Sequence, residues 1–265
     1  MTMAEPVVKT PLTENPIDWN YWNQSNWPET YCKNGKRQAP IWITDKKTTP
    51  VSYNDLQFDD KFYASYPAKI VNDDYTVGIL LDDMSVKPQI SQGGLKDNYT
   101  FLQFQFRWPS EHVVNFRRYP LELAMIFYNS KYGSVGDAIP HEDGFIILVS
   151  FYGLSLHKHN PIFNNLIRSI PQIKNKRQQP VSLEKKITLA HYLPRHTKRF
   201  YRYHGSVTKP YCDEIVTFLV FPRPSFISIY QYFSLINIMD QQNRRVYFNN
   251  RELQPRYGRE VYKKT

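Results

Sequence analysis

The sequence predicts a mainly β protein with peripheral helices, folded as one domain. Three observations carry this. Its best-ordered stretches are short alternating or apolar runs of strand length, not long stripes at helical spacing. Aromatic residues, which favour strands, are 15% of the chain. The 19 prolines and 10 glycines are spread throughout, so no linker divides the 265 residues, a length that one β or α/β domain often reaches.

Taken in chain order, residues 1–15 carry Glu5, Lys9 and Glu14 with Pro6 and Pro11. They lack the basic start and apolar stretch of a secretory leader and read as a flexible arm before a domain over 16–265. Residues 99–108 form the first clear strand. Phe104, Phe106 and Trp108 fall on one face, and Gln103, Gln105 and Arg107 on the other, because side chains alternate across a strand. That second face is polar. Residues 121–128, 144–154 and 214–221 are the other clear strands. Helical signals are weaker: 164–173 has apolar helical spacing, Ser182 starts a short turn, and 225–238 is helical over its middle. No internal repeat is visible.

The net charge is +10 and the pI is near 9.4. Basic residues gather at Lys174, Lys176 and Arg177, at Lys185 and Lys186, at Arg195, Lys198, Arg199 and Arg202, and along 244–264. No nucleic-acid motif of defined geometry accompanies them, so they read as solvated faces. The charge still favours anionic partners, an acidic protein or an anionic glycan. No stretch approaches the ~20 apolar residues of a transmembrane helix.

Five motifs occur in a telling order. Trp22, Trp27-Pro28 and Gly35-Lys36-Arg37-Gln38-Ala39-Pro40-Ile41 come first, followed by Gln103-Phe104-Gln105-Phe106-Arg107-Trp108 with Ser110-Glu111-His112. Next are Tyr119-Pro120-Leu121-Glu122-Leu123-Ala124, Tyr203-His204-Gly205-Ser206-Val207-Thr208-Lys209-Pro210 and Asn250-Arg251-Glu252-Leu253-Gln254-Pro255. From Trp19 to Tyr262 this order resembles the α-carbonic anhydrase family. The resemblance implies that family's large, mostly antiparallel twisted β-sheet with peripheral helices.

In the family three histidines hold a catalytic zinc, two at alternate positions of one strand and one on its neighbour. The matching positions here are Gln105, Arg107 and Ala124. Amides are poor zinc ligands, a guanidinium keeps its proton, and a methyl group has no lone pair. The resemblance is therefore to acatalytic, carbonic anhydrase-related members, and no zinc is expected. Gln103 and Glu122 match the residues that orient two of the lost histidines. Thr208 and Glu111 match the pair that orients zinc-bound hydroxide, and Tyr75 stands at the proton-shuttle position. Arg107 is expected to take the place of the ion by donating to Glu122, and to Gln103 or Gln105, since a buried carboxylate without a partner is costly. Ile126, Ile147, Val207 and Phe218 retain the apolar pocket in kind, and simple core packing explains them. His112 matches a structural histidine. Elsewhere, His157, His159, His191, His196 and His204 give no compact ligand triad.

Cys32 and Cys212 match cysteines that form a disulfide in extracellular members. That pairing points outside the cell, whereas the missing leader points to the cytoplasm; the compartment stays open. The expected function is binding or scaffolding of a partner without catalysis. The alternatives are a carbonate dehydratase with a non-standard metal site and a receptor for anionic glycans.

Overall fold

The computed structural model describes residues 19–83 and 85–265. The expected arm over 1–15 lies outside the described residues. Ten strands follow one path through a large mixed sheet: β1 (Thr49–Val51), β2 (Ala68–Asn72), β3 (Val77–Leu81), β4 (Tyr99–Arg107), β5 (Leu121–Asn129), β6 (Phe145–Ser155), β7 (Val181–Ser182), β8 (Phe200–Gly205), β9 (Val216–Val220) and β10 (Tyr262–Lys264). Their spatial order is β7-β2-β3-β4-β5-β6-β9-β8-β10-β1. Neighbours are antiparallel except β6 with β9 and β10 with β1. This is the mainly β, mostly antiparallel architecture expected.

The four strands read from the sequence are β4, β5, β6 and β9, with ends within two residues. Alternation explains β4. Phe104, Phe106 and the following Trp108 are buried in the main apolar cluster, to which helix α1 (Ile162–Ile173) contributes, its Phe163 ring lying 6.0 Å from that of Phe106. Phe163, Leu166, Ile170 and Ile173 form the buried stripe of that helix. A second cluster lies around Ala39, Ile41, Val149, Tyr203 and Phe218. Gly205 ends β8 where a Cβ would come within 2.9 Å of the Tyr203 and Phe218 rings, so only glycine fits there.

One expectation of the fold is corrected. Ser182 does not start a turn, because Val181 and Ser182 pair with Ile70 and Lys69 as an edge strand. Helix occupies the middle of 225–238 as expected, after Ser225–Ser228 runs as a strand beside Tyr152 to Ser155. Ser228 then caps α2 (Ile229–Leu235), its hydroxyl accepting from the Gln231 N–H while the Gln231 side chain accepts from the Ser228 N–H. This reciprocal box fixes the helix start.

Candidate functional site

β4 and β5 bring the predicted positions together. Gln103, Gln105 and Arg107 share a face of β4, and the register sets Ala124 beside Gln105 and Glu122 beside Arg107. All five line one cavity of about 330 Å³, together with Glu111, Thr208 and Tyr75. Ile126, Ile147, Val207 and Phe218 form an apolar wall. They pack against the second apolar cluster and also face the open space, so core packing describes only one side of each.

Arg107 is 4% exposed and sits on the cavity floor. Its Nη1 donates to Thr76 Oγ1 at 3.2 Å and to the Phe106 carbonyl at 3.2 Å, and its Nη2 donates to Gln105 Oε1 at 3.0 Å. Its Nε has no hydrogen-bond partner among the described residues and lies 3.6 Å from Glu111 Oε2, an ion-pair separation. Burial works against the charge, but Tyr21, Glu111, Glu122 and Asp73 outweigh it and raise the Arg107 pKa. The guanidinium is held charged.

The expected hydrogen bond from Arg107 to Glu122 is absent. Glu122 is already engaged: Oε2 accepts from the His112 backbone N–H at 2.9 Å, and Oε1 lies 3.1 Å from the His112 ring Nδ1. The other ring nitrogen of His112 is 2.6 Å from the Tyr203 hydroxyl. His112 is therefore the structural histidine expected, and it removes Glu122 from the reach of the arginine. The carboxylate that balances Arg107 is Glu111. Glu111 Oε2 accepts from Thr208 Oγ1 at 2.8 Å and Oε1 from the Arg251 N–H at 3.0 Å. Burial raises the Glu111 pKa; Arg107 opposes the shift and Glu122 adds to it.

Gln103 lines the cavity beside these groups. Tyr75 is buried, and its hydroxyl donates to the Trp19 carbonyl at 2.6 Å within a group of rings formed by Trp19, Tyr21 and Trp27. Three contributors were not found from the sequence. Asp73 and Lys209 form an ion pair at 2.7 Å on the cavity lining, and Gln105 Nε2 reaches the same Asp73 oxygen at 3.5 Å. The charge of Lys209 inside the Thr208-Lys209-Pro210 segment was the readable signal for the first two. Tyr21, whose buried hydroxyl has no hydrogen-bond partner among the described residues, interacts electrostatically with Arg107 and carries no sequence signal.

The zinc that the resemblance implies can be tested against the donor chemistry here. Toward the cavity, the three matched positions offer an amide already bonded to Arg107, a guanidinium and a methyl group. Zinc favours imidazole, thiolate or carboxylate, so these residues do not fit it. Among the described residues, no group of three or more His, Cys, Asp or Glu is arranged to hold a metal ion.

Cys32 and Cys212 are joined in a disulfide. Gln38 donates to the Cys212 carbonyl at 3.1 Å and Arg251 to the Cys32 carbonyl at 3.1 Å. The bridge thus ties the N-terminal segment to the loop that carries Thr208 and Lys209. No helix among the described residues is long and apolar enough to cross a membrane.

Residues 19–265 match the family model described as eukaryotic-type carbonic anhydrase. Human carbonic anhydrase 6 is 28% identical over 258 residues, covering 90% of this chain and 80% of that protein. Dog carbonic anhydrase 6 is 29% identical, covering 90% and 76%. The putative carbonic anhydrase 3 of Caenorhabditis elegans is 26% identical, covering 92% and 96%. With the family model spanning every strand of the sheet and the whole cavity, the chain belongs to the eukaryotic-type carbonic anhydrase family.

Proposed function

We propose that the protein is a catalytically inactive carbonic anhydrase-related member that acts by binding a partner. One observation carries this reading: the buried, charged Arg107 occupies the cavity floor, bonded to Gln105 and ion-paired with Glu111. A fixed cation repels a divalent ion at close range. Without a bound metal there is no water acidified toward hydroxide, and the Thr208–Glu111 pair has no nucleophile to orient. The net charge of +10 supports an acidic partner, a protein or an anionic glycan.

The competing reading is a carbonate dehydratase with a non-standard metal site. The names of the relatives and the intact Thr208–Glu111 hydrogen bond favour it. Elemental analysis of purified protein, with stopped-flow carbon dioxide hydration on the same sample, separates the two. The proposal expects no stoichiometric zinc and no turnover above buffer after zinc is added. One zinc per chain with turnover overturns it.

A further inference from the structure

Away from the cavity, Val113–Val114 and Arg117–Arg118 pair antiparallel through a two-residue loop, Asn115-Phe116. Both loop residues have positive φ, +47° and +66°. Such a hairpin turn normally places glycine second, because a side chain is strained there. Here the position holds a phenylalanine, which is a true outlier for a bulky residue. Nothing in the fold rewards it with burial, since Phe116 is 78% exposed.

Its one aromatic neighbour among the described residues is Trp42, itself 46% exposed, packed edge-on at 4.9 Å between ring centres. Trp42 is held by the strand Trp42–Ile43, which pairs with Val113 and Val114 while Ile43 and Val114 anchor the second core cluster beneath. The hairpin is further pinned by Asn115, whose side chain accepts from the Asp45 N–H at 2.9 Å and donates to Asp45 Oδ2 at 3.0 Å. The aromatic pair therefore stands on a rigid base.

The surroundings are basic. Lys46, Lys47 and Arg117 are exposed and have no ion-pair partner among the described residues. Arg118 is tied to the Ser110 carbonyl through Nη1. The nearby acid, Asp45, already accepts from Lys263, Tyr201 and Asn115.

We propose that this hairpin is a membrane-contact site: Phe116 and Trp42 enter the interface of an anionic lipid bilayer while Lys46, Lys47 and Arg117 meet its headgroups. Aromatic side chains beside cations have the chemistry of the bilayer interface. A lipid surface is favoured over a soluble polyanion because Phe116 has no polar atom to offer and gains only by leaving water. The proposal is independent of the cavity and of the metal question.

The test is co-sedimentation of the full chain with phosphatidylcholine vesicles, with and without phosphatidylserine. Binding is expected only to the phosphatidylserine vesicles, weakening as salt rises. Phe116→Gly should lower it about tenfold while raising the thermal midpoint, because glycine accepts positive φ without strain. The higher midpoint separates loss of contact from loss of fold. Arg117→Glu should weaken binding in the same direction. Absence of wild-type binding to the phosphatidylserine vesicles overturns the site, as does undiminished binding by Phe116→Gly. A Phe116-dependent affinity for soluble heparin without vesicle binding would overturn it in favour of a glycan.

Discussion

Arg107 Nε and Glu111 Oε2 lie 3.6 Å apart, with both side chains almost wholly shielded from solvent. They are only four positions apart in sequence, but they sit on different sides of the Trp108-Pro109 turn, so the pair closes the end of β4. Each depends on the other. Arg107→Ala leaves Glu111 as a buried charge beside only Thr208 and the Arg251 N–H. Truncating one partner of a buried pair costs about 3–5 kcal/mol. Urea denaturation should show a loss of this size, and the Arg107→Met, Glu111→Gln double variant should lose less than the two single changes combined. Additive losses would mean that the two groups do not interact.

The same pair sets a pH dependence. The Glu111 pKa is raised by burial in the folded state, so the fold keeps the proton at pH values where the unfolded chain has released it. The stability this contributes is complete below the ordinary glutamate value of 4.5 and is lost as pH rises through the folded pKa. Glu111→Gln cannot titrate. Thermal melts of both proteins, taken upward from pH 4, should therefore show the wild type losing ground relative to the variant. Acids whose pKa is lowered, such as Asp45 beside Lys263, act in the opposite sense but are present in both proteins and cancel. A constant difference across the range would exclude the shift.

The Cys32–Cys212 bridge spans 180 positions. In the chain-entropy model, closing a loop of that length stabilises the fold by about 5 kcal/mol. Cys212 is fully buried, and its carbonyl holds Gln38, which in turn accepts from Arg251. Reduction, or Cys32→Ala with Cys212→Ala, should lower the thermal midpoint by several degrees or more. Intact-mass measurement with and without reductant checks that the purified protein carries the bond.

Much of this was legible because it rests on alternation. Phe104, Phe106 and Trp108 against Gln103, Gln105 and Arg107 specified both the buried face of β4 and its cavity face. The identity of Arg107's partner was not legible. Strand order makes Glu122 its neighbour, but His112 folds back onto Glu122 through both its backbone and its ring. That choice depends on the turn after Trp108, which no periodicity encodes. The helix over the middle of 225–238 was legible, but the strand Ser225–Ser228 before it was not, because it rests on pairing with β6, a tertiary contact. Phe116 was invisible as well, since a phenylalanine in a positive-φ turn contradicts the local rule that would have located the turn.

The assignment of Gln105, Arg107 and Ala124 as the lost ligand positions can be tested by rebuilding them. Gln105 and Arg107 alternate on β4, and Ala124 sits opposite Gln105 on β5, all lining one cavity. Gln105→His, Arg107→His and Ala124→His together place three imidazoles there, remove the fixed cation, and leave Glu122 and Glu111 nearby as acceptors. The triple variant should take up about one zinc per chain, a donor set zinc favours, measured by elemental analysis after dialysis. Zinc should also raise its thermal midpoint, because a ligand bound only by the folded state stabilises it. Arg107→His alone should do neither, since it supplies one donor beside an amide and a methyl. A folded triple variant that stays free of zinc would show that these side chains do not converge, and the inherited-site reading of the cavity would fall with it.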